Sequence, residues 1–304
     1  LASNIIAVGD RHQSIYGFRF VCGALDNIKQ QFVDLIGEEN VRILSLAVCF
    51  RCPKRIVAIA EQIHRGIQCA STSNLGVIQV KHVPAASVVL FLHNIATQNH
   101  KTFCVVRQNQ TCMQFLTAAL QHKWNDFLWF SPSVCADICV VVSYLLPNVG
   151  SGDVAEPEIY LQFLIAKQSE ALSCFLQDQW VDLRNRGYKG IMDVSPTVVN
   201  LLNSPCCMFV ELLIYLLKNV GNSFHCNANL IVTTAHCTKG LTFDGTVCIL
   251  DYNTYKNNEE DRNLLYVAVT RATTGLMFLM TREHQPRVSQ FLDLQHIYDI
   301  SSTT

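Results

Sequence analysis

Short apolar runs alternate with stretches of helical periodicity in the first third and the last quarter of the chain. Six runs are apolar almost without interruption and are predicted to be strands: Ile5–Val8, Ile43–Ala47, Thr102–Val106, Leu230–Thr233, Thr246–Leu250 and Leu276–Met280. Continuous apolar runs of this length are typical of parallel strands covered on both faces. Helices are predicted to start at Pro53 and to cover Thr111–His122 and Glu259–Ala272. Strands that alternate with helices indicate an α/β fold with a parallel sheet.

The middle of the chain has a different pattern and is predicted to be mostly helical. We therefore expect one α/β domain formed by residues 1–122 and 225–290. A helical insertion at 123–224 interrupts it, and a polar tail follows at 291–304. At 304 residues, the chain is long enough for two domains with substantial cores.

The composition excludes a disordered chain, because half of the residues are hydrophobic and only 15% are charged. The apolar stretches Phe127–Val149 and Val198–Leu217 are broken by proline or polar residues, so no membrane span is predicted. The 23 basic and 24 acidic residues nearly cancel. Any binding of nucleic acid must therefore come from a local groove rather than from an overall positive field.

Fourteen cysteines are scattered through apolar segments. This distribution favours free thiols in a reducing intracellular compartment, the cytoplasm or the nucleus or nucleoid, over a disulfide scaffold. Cys49 and Cys52 have the spacing of a redox or zinc motif. No second cysteine or histidine pair has matching spacing, so no metal site is predicted.

Four short blocks carry candidate chemistry, and the first, Gly9–Arg19, follows the first predicted strand. Ligands of open parallel sheets bind outside the carboxyl ends of the strands. Gln13 is suited there to orient a water or sense a phosphate. Phe18 and Arg19 pair an aromatic face with a cation, which suits single-stranded nucleic acid. The alternative is an ordinary loop with Phe18 in the core.

The second block is Phe50–Pro53, between a predicted strand and a predicted helix. Arg51 lies near the helix N-terminus, where a phosphate is also favoured, and Phe50 is placed to stack on a base. A surface ion pair beside a buried Phe50 explains the block equally well.

The third block, Thr233–Asp244, brings hydroxyl, imidazole and ammonium groups together after a strand. His236 and Lys239 suit a phosphate or a nucleic acid, and Gly240 permits close approach of the backbone. The alternative is that these side chains are solvated or belong to the core.

The fourth block, Asn263–Ala272, ends an apolar helix face with Arg271. A cation in such a place is costly without an anionic partner. Either a γ-phosphate across a domain cleft or a structural salt bridge supplies one.

In this order, the blocks resemble motifs III to VI of the C-terminal part of UvrD/Rep-like superfamily-one DNA helicases. The matching sequences are GDRHQSIYGFR, FRCP, TTAHCTKGLTFD and LLYVAVTRA. Arg107 and Asn109 resemble a further conserved stretch of that family. The resemblance covers about residues 1–122 and 228–282.

The resemblance implies the second RecA-like motor domain of an enzyme that uses ATP and Mg²⁺ to move on single-stranded DNA and unwind duplex junctions. It implies catalytic contacts with the γ-phosphate for Gln13, Arg51 and Arg271. It implies nucleotide contacts for Phe50, Gly240 and Thr242. It implies DNA contacts for Tyr16, Phe18, Arg19, Thr234, His236 and Lys239.

The sequence also departs from the family. Thr242 replaces the glutamate that holds the ribose, and Phe20 and Val21 replace a small pair after Arg19. No G-x-x-x-x-G-K-[ST] loop occurs in the chain, and no Asp-Glu pair precedes the first block. We therefore expect a chain cut before Leu1, whose phosphate loop and Mg²⁺ ligands lie in a first RecA-like domain in cis or in trans, and which is inactive alone.

Two alternatives remain open. One is a degenerate or truncated helicase-like module that binds nucleic acid or a partner without catalysis, which the change at Thr242 favours. The other is an unrelated α/β enzyme that uses His236 or Lys239, which would require all four blocks to coincide by accident.

Overall fold

The computed structural model describes most of the predicted α/β domain. The described residues are 5–15, 24–99, 101–124, 126–131, 228–251, 254–256 and 258–281, with only the backbone for 24–26 and 99. Most of the predicted insertion and the polar tail lie outside them. So do three predicted DNA contacts, Tyr16, Phe18 and Arg19.

A six-stranded sheet organises the described residues. The strands are β1 (Val48–Cys49), β2 (Gln68–Cys69), β3 (Val77–Val83), β4 (Thr102–Val106), β5 (Phe127–Phe130), β6 (Leu230–Thr234), β7 (Thr246–Leu250) and β8 (Gly275–Thr281). β1 and β2 form a separate parallel pair, and the large sheet has the order β3-β8-β7-β4-β6-β5. The pairs β3–β8, β8–β7 and β7–β4 are parallel. The predicted α/β fold with a parallel sheet is confirmed.

Four predicted strands are confirmed, and all of them lie inside the sheet. Thr102–Val106 and Thr246–Leu250 have the predicted bounds, whereas the other two are slightly longer, as β6 and β8. All residues of β4, β6 and β8 are buried. Continuous burial on both faces is the reason why an apolar run sufficed to find them.

Two predicted strands, Ile5–Val8 and Ile43–Ala47, are wrong. Both segments have irregular backbone and expose their apolar side chains: Ile6 is 88% exposed and Leu44 is 86% exposed. An apolar run becomes a strand only where a neighbouring strand accepts its hydrogen bonds. Pairing begins only at Ala47, whose carbonyl oxygen accepts from Gln68 N at 2.8 Å.

The edge strand β3 carries no such apolar run. Its buried residues, Ile78 and Val83, alternate with polar or exposed ones such as Gln79 and Lys81. An edge strand has one open side, so its sequence stays mixed and resembles a loop. The short strand β5 lies within the segment 123–224 that was predicted to be helical, so that prediction is wrong for Phe127–Phe130.

In the described part of the chain, five α-helices accompany the strands. They are α1 (Ala24–Ile36), α2 (Lys54–Ile63), α3 (Val88–Asn99), α4 (Asn109–Gln121) and α5 (Glu259–Val269). Three were predicted, with different ends. Pro53 is the N-cap of α2 rather than its first residue, and α4 starts two residues before Thr111. α5 ends at Val269, so Arg271 lies just beyond it and not on its face.

The chain separates into two compact units, Leu1–Arg107 with Thr233–Thr304 and Gln108–Val232. In the first unit, α2 packs on α5 and buries Ile56, Ile59 and Ile63. In the second, α4 packs on β5. The predicted boundaries at 122 and 225 stay predictions, because residues 132–227 lie outside the described part.

No helix in the described part of the chain has both the length and the apolar character that crossing a bilayer requires.

Candidate functional site

Arg271 is a buried cation in the first unit, only 2% exposed. Its Nε donates to the carbonyl oxygen of Val267 at 2.9 Å and Nη1 to that of Leu241 at 2.9 Å. Nη2 donates to Thr270 Oγ1 at 3.1 Å. All three acceptors are neutral, and three bonds do not use every N–H donor of a guanidinium. Arg271 therefore caps the end of α5 and retains capacity for an anion.

The charge of Arg51 acts on this buried guanidinium. The pKa of Arg271 falls from 12.5 to about 10, first because of burial and second because of the positive charge of Arg51. Asp10 opposes the shift, but more weakly. The two predicted phosphate arginines, 220 positions apart in the sequence (271 − 51), thus lie in the same part of the structure.

Cys52 lies in the segment that carries Arg51 and contacts the segment that carries Arg271. Its thiol lies 3.4 Å from the carbonyl oxygen of Thr270, the residue that precedes Arg271. Arg51 itself is exposed, and the neighbouring Phe50 is 80% exposed. Phe50 is therefore not the buried side chain of the structural alternative, and its ring is open to a ligand.

The N-terminus of α2 is not an open phosphate site. Lys54 N donates to Asn74 O at 2.9 Å and Arg55 N donates to Leu75 O at 3.0 Å. These carbonyl groups satisfy the amides that we expected a phosphate to meet beside Arg51. A contact between Arg51 and a phosphate must therefore come from its side chain.

Gln13 is hydrogen-bonded to Asp10, whose charge acts on Arg271. The carboxylate of Asp10 accepts from His12 N at 2.9 Å and from Gln13 Nε2 at 2.8 Å, and so closes the short 3₁₀ turn Arg11–Gln13. That turn packs against α5. Gln13 keeps its amide oxygen as an acceptor, in a turn whose carboxylate also acts on Arg271.

Three rings hold this turn in place. His12 stacks on His64 with centroids 4.0 Å apart, and Tyr266 meets both rings edge-on at 5.9 and 5.4 Å. Burial is the main cause that lowers the pKa of His64 from 6.5 to about 4, followed by the charges of His12 and Arg262. His64 is therefore neutral at pH 7 and packs as an aromatic ring.

Tyr266 contacts the two histidine rings and also interacts electrostatically with Arg271. Its pKa rises to about 12, first because of burial and then because of Asp10, Cys49 and Cys52, while Arg271 opposes the rise. The phenol is therefore neutral at pH 7. The sequence motif that contains Arg271 also contains Tyr266, but its pattern did not indicate that Tyr266 belongs to the site.

The third block lies between β6 and β7. Thr234 is 5% exposed and directs its hydroxyl to the sulfur of Cys237 at 3.4 Å, inside the 3₁₀ turn Ala235–Thr238. His236 is half-buried, whereas Lys239 is exposed. Of the described residues predicted to contact DNA, Lys239 is thus the one that presents its side chain openly.

The loop after Lys239 is tied to Arg271. Gly240 has φ +83°, a left-handed conformation that favours glycine. The carbonyl oxygen of the next residue, Leu241, accepts from Arg271 Nη1, and Phe243 N donates to the carbonyl oxygen of Arg271 at 3.1 Å. Thr242, between them, is exposed. The structure therefore brings the predicted nucleotide loop to the buried arginine.

Arg107 has a structural partner. It binds the buried carboxylate of Asp261 through Nε at 3.2 Å and through Nη2 at 2.9 Å. Asp261 also accepts from Lys256 N at 2.6 Å and is itself capped by Asn258. This ion pair fixes the start of α5, the helix that leads to Arg271. Asp261 was missed because its partner lies 154 positions away in the sequence.

The described residues contain no group of three or more histidine, cysteine or acidic side chains placed to hold a metal ion.

Comparison with known proteins gives one family match. Residues 229–279 match the family model described as UvrD-like helicase C-terminal domain. No curated protein is significantly similar in sequence. One similar solved structure is the C-terminal domain of a possible DNA helicase from Lactobacillus plantarum WCFS1. It has 13% identity and a TM-score of 0.38, with 81% of this chain and 95% of that chain covered.

A TM-score this low does not establish a shared fold, so the assignment depends on the family model. The matched segment contains β6, β7, α5 and most of β8, and with them Lys239 and Arg271. The resemblance to UvrD-like helicases that the sequence motifs indicated is therefore confirmed for residues 229–279, the segment that matches the C-terminal domain of that family.

Proposed function

We propose that this chain is the second RecA-like motor domain of an ATP-dependent DNA helicase or translocase. In the proposed enzyme it works with a first motor domain, in cis or in trans, and couples ATP hydrolysis to movement along single-stranded DNA. The observation that carries the proposal is the buried guanidinium of Arg271, which has only neutral hydrogen-bond partners and lies within the field of Arg51.

A bound anion would remove the charge repulsion between Arg51 and Arg271. Two positive groups that repel each other, one of them buried, raise the free energy of the empty site. A phosphate placed between them neutralises both charges, and its oxygens accept hydrogen bonds from the N–H groups of Arg271 that have no acceptor among the three bonds above. A triphosphate therefore fits the charge of the site, and the open ring of Phe50 offers a stacking surface for its base.

The residues have distinct proposed roles. Arg51 and Arg271 stabilise negative charge on the transferring γ-phosphoryl group, as guanidinium groups do in many phosphoryl transferases. In the proposal, the amide oxygen of Gln13 accepts a hydrogen bond from an attacking water. Gly240 and Thr242 lie in the loop whose Leu241 carbonyl holds Arg271. A phosphate that moves Arg271 therefore also moves the loop that carries Lys239.

ATP needs a phosphate loop and Mg²⁺ needs acidic ligands, and these 304 residues contain no phosphate-loop motif. In the proposal, the first motor domain supplies both. Mg²⁺ held there would supply positive charge to the phosphates, while this chain would contribute Arg51 and Arg271 from the other side of a closing cleft.

The test measures binding of a fluorescent single-stranded oligonucleotide by anisotropy, with this chain, a first motor domain of a UvrD-like helicase added in trans, and a non-hydrolysable ATP analogue. We expect the analogue to change DNA affinity for the wild type. In the variants Arg51→Ala and Arg271→Ala, the change in DNA affinity that the analogue causes should be at least about tenfold smaller than in the wild type.

Arg65→Ala is the matched control, because Arg65 is exposed and lies outside the candidate site. It should behave like the wild type. The chain alone should show no DNA-stimulated ATP hydrolysis. Strong hydrolysis by the chain alone, or an equal loss in all three variants, would contradict the proposal.

The degenerate module remains a second candidate because of one observation. Thr242 is exposed and offers no carboxylate where the family has the ribose-binding glutamate. Oligonucleotide binding that never responds to nucleotide, in the same experiment, would favour this module over the motor domain.

A further inference from the structure

Three cysteines meet where β1 leads into α2. Cys49 ends β1, Cys69 is its partner in β2, and Cys52 lies just before the helix cap. Cys52 N donates to Cys49 Sγ at 3.4 Å, and the Cys69 thiol lies 3.8 Å from the carbonyl oxygen of Cys52. The backbone of Cys52 therefore lies against the sulfur of Cys49, and the two side chains also interact through a hydrogen bond between their thiol groups.

The two cysteines of the C-x-x-C sequence differ in access. Cys49 is half-buried and lies between Val48, which is 44% exposed, and Phe50, which is 80% exposed. Cys52 is only 1% exposed. A small molecule can therefore reach Cys49, whereas Cys52 can act only from the inside.

The more accessible thiol, Cys49, is also the more acidic of the two. The pKa of Cys49 falls to about 5, chiefly because the Cys52 thiol donates a hydrogen bond to it, and burial opposes the shift. Backbone amides and the charge of Arg51 add to the lowering. The same hydrogen bond, together with burial, raises the pKa of Cys52. Stepwise oxidation of a dithiol needs one thiolate, which attacks first, and one thiol that stays protonated until the second step.

We propose that Cys49 and Cys52 form a redox-active dithiol, which a low-molecular-weight disulfide such as oxidised glutathione converts to an intramolecular disulfide. The Cys49 thiolate attacks one sulfur of glutathione disulfide, whose S–S bond breaks and releases one glutathione thiolate. Cys52 then loses its proton, attacks the Cys49 sulfur and displaces the second glutathione thiolate. Starting from the Cys49 thiolate, the protein loses two electrons and one proton, and the two glutathione thiolates take up that proton and one from the solvent to form two molecules of reduced glutathione.

Oxidation acts on the segment that carries Arg51. The disulfide closes a ring around Phe50 and Arg51, and it removes the thiol hydrogen of Cys52, whose sulfur lies 3.4 Å from the Thr270 carbonyl oxygen. Thr270 Oγ1 is also an acceptor for Arg271. The redox state of this pair therefore changes the surroundings of both arginines. The chemistry of the pair does not depend on the proposed motor function.

The test uses the full chain in mixtures of reduced and oxidised glutathione, followed by alkylation, trypsin and mass spectrometry. Trypsin cuts after Arg42, Arg51 and Lys54, so the disulfide joins residues 43–51 to residues 52–54. Cys69 lies in the separate tryptic peptide of residues 66–81. We expect the joined peptide in the wild type.

Cys52→Ser should stop at the mixed disulfide and carry about tenfold more glutathione on Cys49 than on Cys69, because no second thiol resolves it. Cys49→Ser should leave residue 52 alkylated. Cys69→Ser is the matched control and should form the same joined peptide as the wild type. Circular dichroism verifies that each variant is folded.

A disulfide between Cys49 and Cys69 would overturn the proposal, and so would a wild type that only accumulates the mixed disulfide. Equal glutathione on Cys49 and Cys69 in Cys52→Ser would overturn it as well, since Cys49 would then have no special reactivity.

Discussion

Individual side chains around Arg271 have partners that their sequence neighbours do not reveal. Arg271 was expected to need an anion or a salt bridge, and it has neither among its hydrogen-bond partners: it caps α5 and holds the Leu241 carbonyl. No sequence motif indicated a role for His64, yet it stacks on His12, the neighbour of the predicted γ-phosphate contact Gln13. In both cases the environment of one group decides its charge and its chemistry.

His64 makes stability depend on pH. Its pKa is about 4 in the folded chain, below the 6.5 of an exposed histidine, so the unfolded chain takes up this proton first as the pH falls. The contribution of His64 is complete above about pH 6.5 and is lost as the pH falls towards 4. His64→Gln removes this titration. We expect the melting temperature to fall more steeply between pH 6.5 and 4.5 in the wild type than in the variant.

The groups that face His64 are His12, Arg262, Asp10 and the amide of Asn263. They remain in His64→Gln, so the difference between the two curves isolates His64. Scanning calorimetry at each pH gives both curves. Parallel curves would show that His64 has an ordinary pKa in the folded chain.

Helix α5 is the element that organises the site. Its first turn is held by Arg107, its middle carries Tyr266 against the turn of Gln13, and Arg271 follows its end. Asn263 Nδ2 also donates to the carbonyl oxygen of Ser14 at 3.0 Å, across 249 positions of sequence. The helix therefore connects the first, third and fourth sequence blocks.

Asp261→Asn tests how strongly this helix is fixed. The amide would leave Arg107 without its anion and would place N–H groups against other donors. We expect the free energy of unfolding in urea to fall by about 2 kcal/mol, less than for a fully buried pair because Arg107 is 27% exposed. Glu259→Gln, an exposed acid in the same turn, should change it by less than about 0.5 kcal/mol. Equal effects would mean that the ion pair adds no stability.

The chain as a whole has a net charge of −1, so DNA binding in the proposed function has to come from a few local cations. Lys239 is the exposed candidate among the described residues predicted to contact DNA. This charge balance sets the proposed motor domain apart from strongly basic DNA-binding proteins, whose affinity depends steeply on salt.

Lys239→Ala should reduce the slope of log affinity for single-stranded DNA against log salt by about 0.7, the value for one phosphate contact. Lys81→Ala, on the exposed side of the edge strand β3, should leave the slope unchanged. Anisotropy titrations over a range of salt concentrations measure both. If Lys81→Ala lowers the slope as much as Lys239→Ala does, binding is unspecific and Lys239 has no special role.

Several features of this protein were determined by its sequence alone. The buried strands β4, β6, β7 and β8 could be predicted because strands covered on both faces have to be apolar throughout. The motifs were sufficient for the resemblance to UvrD-like helicases, which the match over residues 229–279 confirms. A local pattern predicts such features because their physical cause, burial or a short motif, lies within a few neighbouring residues.

Only the tertiary structure decided which partners the key groups have. It showed that Asn74 and Leu75 occupy the N-terminus of α2, that Ile5–Val8 pairs with no strand, and that Arg51 and Arg271 lie within each other's field. It also brought the amide nitrogen of Cys52 to 3.4 Å from the sulfur of Cys49, on which the charge of Arg51 acts. These outcomes depend on contacts between distant segments, which form only when the sheet and α5 assemble.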